Sequence, residues 1–122
     1  MRLIFSMLVL AVLSGCAAMD QVRQMWPRAH DPQMVQLWVE TQINLTKVDC
    51  SAEDRGWARV NGSAEQLALY TEFRKDPQAT NMRGLAQHTA KMAQGGSKVF
   101  CELGKKTAEG RLSAARTAWE GR

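Results

Sequence analysis

Residues 31–50 read DPQMVQLWVETQINLTKVDC, and this stretch decides the fold. Asp31 is an N-cap type followed by Pro32 at the first helical position, the one interior-like site where proline costs nothing. Met34, Leu37, Trp38, Thr41, Leu45 and Val48 then recur at helical spacing. With Val35, Val39 and Ile43 on the flank, the helix has a wide apolar face and is expected to be the best-buried element. It ends near Asp49-Cys50.

Working outward from that helix, residues 51–62 (SAEDRGWARVNG) read as an irregular loop closed by Asn61-Gly62. Ser63 with Gln66 three residues on has the form of a capping box. It opens a second helix through Leu67, Leu69, Tyr70 and Phe73 to Lys75. Asp76-Pro77 stops that helix and caps a third over about residues 78–94, with Met82, Leu85, Ala86, Thr89 and Ala93 on one stripe. Gly95-Gly96 breaks it. Ser97 caps a last helix whose face, Cys101, Gly104, Ala108, Leu112, Ala115 and Trp119, is mostly small. Val99, Phe100 and Leu103 widen that face near its start. Gly104 and Gly110 each cost about 1 kcal/mol in a helix interior relative to alanine, so a tight helix contact or a bend is expected there. No strand-type alternation of useful length and no internal repeat is present. The expected fold is all-α, a bundle of about four helices, up-and-down in its simplest form.

The segment before residue 31 has a different character. Met1-Arg2 is a minimal positive start, and Leu3 to Leu13 is an apolar run too short for a stable membrane span. Leu13-Ser14-Gly15-Cys16 follows directly and resembles the lipobox of bacterial lipoproteins. The resemblance implies cleavage between Gly15 and Cys16 and two or three acyl chains on Cys16. Each buried methylene adds about 0.8 kcal/mol, so several chains anchor a protein without a transmembrane helix. Ala17 is not the aspartate that tends to retain such proteins in the inner membrane, which favours an outer membrane, facing the periplasm. Residues 1–15 are then a signal peptide, 16–30 a lipidated tether reaching at most about 50 Å, and 31–122 the helical domain. Met25 and Trp26 either rest in the lipid interface or cap the domain.

If Cys16 carries lipid, Cys50 and Cys101 remain. In an oxidising periplasm two lone cysteines most economically form one disulfide, here stapling the end of the first helix to the start of the last.

Removing residues 1–15 leaves 107 of the 122 residues, enough for one small domain, and lowers the net charge from +4 to +3 by the loss of Arg2. Charges of both signs are mixed along the chain, so a solvated surface is expected and not a nucleic-acid groove. Chemistry is sparse. His30 adjoins a helix cap and His88 has no ligand-type residue at i+4, so no metal or cofactor is expected. Glu53 and Asp54 lie in a polar segment beside Arg55. Gly95-Gly96-Ser97-Lys98 lacks the strand that a phosphate loop needs. Arg55, Trp57 and Arg59 gather an aromatic and two cations between two helices, a composition common at protein contacts, although the favoured reading is that Trp57 plugs the core beneath the loop and both arginines are solvated.

The expected function is therefore non-enzymatic: a lipid-tethered module that binds another envelope or outer-membrane protein. It would serve as an assembly accessory or, on a phage or plasmid, block a receptor or entry channel. The alternative is an inhibitor of a cell-wall-degrading enzyme, with a cell-wall enzyme itself behind that. Replacing Cys16 with alanine should abolish acyl labelling and leave an uncleaved or mislocalised chain. Wild-type membrane partitioning of a signal-free chain would defeat the lipobox reading.

Overall fold

The computed structural model describes residues 31–121. The segment expected to be a signal peptide, the expected cleavage and lipidation residues Gly15 and Cys16, the expected tether with Met25 and Trp26, and His30 lie outside these residues. Four helices make up the domain: α1 (Pro32–Thr46), α2 (Trp57–Phe73), α3 (Ala79–Met92) and α4 (Lys98–Glu120). Among the described residues there is no strand, and no helix is long and apolar enough to cross a membrane.

Cross-helix pairs fix the direction of each helix. Asp31 and Asn44 of the first segment meet Tyr70 and Ser63 of α2, and Asn61 and Glu72 of α2 meet Thr89 and Arg83 of α3. Asn81 and His88 of α3 meet Arg111 and Gly104 of α4, while Trp38 and Val48 meet Leu112 and Lys105 of α4. In every pair the early residue of one helix meets the late residue of the next, so the bundle is up-and-down and closed, with α1 beside α4. Contact is most extensive between α2 and α3 and thinnest between α1 and α4.

The caps at Asp31 and Ser97 form as expected. Asp31 Oδ1 accepts from Gln33 N and Met34 N, and Ser97 Oγ accepts from Phe100 N. α2 departs from expectation at its start: it begins at Trp57, not Ser63, with Gly56 as N-cap at φ +86°, a left-handed conformation that suits glycine. Asn61, Gly62 and Ser63 are helical. The Ser63 hydroxyl bonds back to the Arg59 and Val60 carbonyls instead of capping. At its other end α2 closes in a Schellman turn, Asp76 N to Thr71 O and Lys75 N to Glu72 O, with Lys75 left-handed at φ 50°.

The core runs from Met34, Leu37 and Leu45 through Trp57, Val60 and Leu67 to Met82, Leu85, Met92 and Leu112. All six small-face residues of α4, Cys101 to Trp119, are buried. In α3 the buried stripe ends on Met92, and Ala93, placed there by spacing, is exposed. The expected widening of two helix faces is also corrected. Val35, Val39 and Ile43 on α1, and Val99, Phe100 and Leu103 on α4, are exposed, as are Leu69 and Phe73 on α2. Four helices enclose a single axial core, and residues about 100° or more off that axis have nothing left to cover them.

Gly104 shows the expected close approach, since a Cβ there would run into the Met92 thioether. Gly110 has no such neighbour: a Cβ there would meet nothing within 4 Å. Each described tryptophan satisfies its indole N–H: Trp38 donates to Leu112 O at 2.9 Å, Trp119 to Asp76 Oδ1 at 3.1 Å, and Trp57 to Cys101 Sγ at 3.3 Å. No buried side-chain polar atom among the described residues is left unpaired.

At the end where α1 begins, the Tyr70 hydroxyl donates to the Asp31 carboxylate, its oxygen 2.8 and 2.9 Å from the two carboxylate oxygens, with Arg74 alongside. Burial raises the phenol above its ordinary value of 10.0, and the Asp31 hydrogen bond and negative charge raise it further, with Arg74 opposing. A group whose folded value is raised contributes stability below its unfolded value and loses it as pH climbs through the folded one. The domain should therefore lose stability above pH 10, and Tyr70→Phe should remove that loss while costing about 1–2 kcal/mol at neutral pH. Tyr70 is the chain's single tyrosine. Its ultraviolet titration should show a midpoint above 10.0, and a midpoint at or below that value would contradict the pairing.

Candidate functional site at the disulfide end

α1 runs from Asp31 at one end of the bundle to the opposite end, where the chain turns through residues 47–56. Short bonds hold this turn. Asp49 Oδ1 accepts from Ser51 N at 2.9 Å, Asp49 N donates to Arg55 O at 3.2 Å, and Asp54 Oδ1 accepts from Gly56 N at 3.0 Å. Aspartates placed two residues before a backbone donor form such turns without help from distant contacts.

Two further ties bind the loop to the start of α4. Cys50 and Cys101 form a disulfide, with Cα atoms 5.7 Å apart across 51 positions of sequence. The expected pairing, end of the first helix to start of the last, is the observed one. The second tie is Arg55, whose Nη1 donates to Gly96 O at 2.9 Å. It joins the loop to the turn between α3 and α4.

The three residues singled out by composition part company here. Trp57 is only 3% exposed. Its ring lies under the loop with the N–H on the Cys101 sulfur, and it meets the His88 ring edge-on at 6.5 Å between centroids. It plugs the core and is not available to a partner. Arg55 is half-buried and Arg59 is exposed. The loop itself shows mainly polar side chains to solvent, Glu53, Asp54 and Arg59 among them, while Val99 and Phe100 of the adjoining first turn of α4 are also exposed. An open groove of about 420 Å³ runs between the loop, from Ala52 to Ala58, and the wall formed by Met92, Ala93, Gly95 and Gly96. Beside it lies a small depression of about 60 Å³ bordered by Lys47, Asp54, Arg55 and Arg59.

This arrangement can recognise a surface by hydrogen bonds and charge. Arg55 uses one of its five N–H donors on Gly96, and a planar guanidinium can still take a carboxylate. Glu53 and Asp54 offer acceptors. His88 directs Nε2 at Gly104 O, 2.8 Å away, where the only possible bond is one in which the ring donates. No group of three His, Cys, Asp or Glu residues among the described residues could hold a metal ion. The contribution of the α3–α4 turn, Gly95-Gly96, was not visible from composition. The signal for it was indirect: a bond between Cys50 and Cys101 must bring the residues flanking them together.

No protein-family model, curated protein or solved structure matches the chain.

Because Trp57, the loop and the start of α4 all meet at the Cys50–Cys101 bond, reduction should act on the whole end. Closing a loop of this length restricts the unfolded chain by about 4 kcal/mol in the chain-entropy model. At about 4–8 °C per kcal/mol for a domain of this size, the melting temperature should fall by about 15 °C or more on reduction. Calorimetry with and without a reductant checks this, and an unchanged melting temperature would refute it.

Proposed function

We propose that the protein is a membrane-anchored, non-enzymatic binding module of the cell envelope, held by lipid on Cys16 and presenting the disulfide end of its bundle to another envelope protein. The observation that carries this reading is the placement of the two ends. The chain enters the domain at Asp31, and the loop of Glu53, Asp54, Arg55 and Arg59 lies at the opposite end of α1, a 15-residue helix of about 22 Å. A domain held at its Asp31 end directs this polar surface away from the anchor. The proposed address is the periplasmic face of the outer membrane, from the lipobox Leu13-Ser14-Gly15-Cys16 and the Ala17 that follows it. Anchoring to a membrane raises the effective concentration of a partner in the same membrane, so a small polar interface suffices.

A photo-activatable residue placed at Arg59 or Glu53 in the full chain, expressed in cells, should give one dominant cross-linked adduct. The same residue at Gln36, outside the loop end, should not give it. With the photo-activatable residue at Glu53, Arg55→Glu with Arg59→Glu should remove the adduct while acyl labelling and helicity stay at wild-type level. An adduct that survives this double reversal, or the same adduct from both positions, would refute the assignment of this surface. An adduct with a cell-wall-degrading enzyme would replace the membrane-partner reading with that of an inhibitor.

A further inference from the structure

The outer face of α4 has features that the fold of one chain does not explain. Val99 is 64% exposed and Leu103 58%, one turn apart on the side away from the core. Gly110 continues the same stripe, and there a helix-weakening residue serves no intramolecular contact. Beside the stripe runs a row at helical spacing, Lys98, Glu102, Lys105 and Glu109, with charges that alternate in sign. None of the four is in an ion pair among the described residues, although Lys105 Nζ donates to Val48 O at 3.1 Å. Val99, Glu102, Leu103, Lys105, Lys106 and Glu109 line a shallow open groove of about 400 Å³.

A row reading plus, minus, plus, minus becomes its own complement when reversed. We propose that this face binds a second copy of the same chain, the two α4 helices lying antiparallel about a two-fold axis that passes between residues 103 and 104. In an antiparallel helix pair the flank of one helix meets the same flank of the other. About that axis Lys98 faces Glu109 of the second copy and Glu102 faces its Lys105, each twice. The two Leu103 side chains meet at the axis. Val99 sits between Lys106 and Gly110 of the second copy, where the missing side chain leaves room for it.

The interface uses α4 and not the disulfide-end loop, so it stands or falls separately from the proposed binding function. An interface this small is weak in dilute solution and is strengthened by confinement at a membrane. Its charge pairs make it salt-sensitive.

Sedimentation of the full chain in detergent, over a dilution series, tests the proposal. The wild-type chain should show a monomer–dimer equilibrium that weakens with salt. Glu102→Lys with Glu109→Lys gives an all-positive row, and Lys98→Glu with Lys105→Glu an all-negative one. Each variant should dimerise at least about tenfold more weakly than wild type. An equimolar mixture of the two should recover dimers. Gly110→Gln should raise helicity and yet weaken the dimer, a combination that a purely structural role for this glycine would not produce. Circular dichroism shows that each variant is folded, and Leu103→Arg, at an exposed position, serves if Lys105→Glu disturbs α1. A monomeric wild type throughout the series, folded charge variants that dimerise like wild type, or a folded mixture that stays monomeric would each overturn the proposal.

Discussion

The Cys50–Cys101 bond is the constraint on which the rest of the domain depends. The core it closes is small-grained: five alanines, three methionines and Gly104 take positions where larger domains place branched aliphatics. Small residues bring helices close but remove little apolar surface from water per contact, and a domain of this size buries a modest fraction of its chain. The disulfide restricts the unfolded chain in compensation, and its position shapes what lies around it. It holds the end of α1 against the first turn of α4 at the seam where those helices touch least. Its sulfur gives the Trp57 indole a partner, which lets a large aromatic start α2 and roof the core.

The polar interior follows a different logic from the polar surface. Thr41, Thr71, Thr89 and Ser63 are buried, and each returns its hydroxyl to a carbonyl three or four residues back on its own helix. Such bonds satisfy the group without choosing a neighbour. Choice of neighbour comes from a few long-range bonds, Asn44 to Ser63, Asn61 to Thr89 and Asn81 to Arg111. With Trp38 to Leu112 on the α1–α4 seam, each pair of neighbouring helices has at least one such bond, so these bonds set which helix lies beside which, and shape sets how closely.

Much of this was legible in sequence because it depends on local chemistry. The Asp31 and Ser97 caps, the Gly95-Gly96 break and the six-residue face of α4 follow from rules that act within a few residues. The start of α2 was not legible. Asn61-Gly62-Ser63 has turn chemistry, and only the burial of Trp57 and Val60 on the core side makes a helix through it the better solution. The exposure of Val35, Val39, Ile43, Leu69 and Phe73 was equally hidden, since the width of an apolar face does not reveal how many neighbours will cover it. At the candidate site, composition found Arg55, Trp57 and Arg59 but gave no direction for their side chains. Two of them remain at the surface, and the aromatic turned inward.

The fastening of α1 to α4 has a mechanical consequence. Three fasteners lie along that seam in order from the Asp31 end: Trp38 on the Leu112 carbonyl with the Arg116 guanidinium 5.8 Å from its ring centre, then Lys105 on the Val48 carbonyl, then the covalent bond at Cys50. A pull applied at Asp31 loads the weak fasteners first and peels α1 from its free end. Peeling must stop at Cys50. Beyond that point tension passes straight through the sulfur bridge into the first turn of α4, and residues 51–100 are shielded from it. Under load the oxidised domain can release only the residues outside the bridge, 31–50 and then 101–121, while residues 51–100 stay closed. A single-molecule stretching trace would show a short extension in the oxidised protein and a much longer one after reduction.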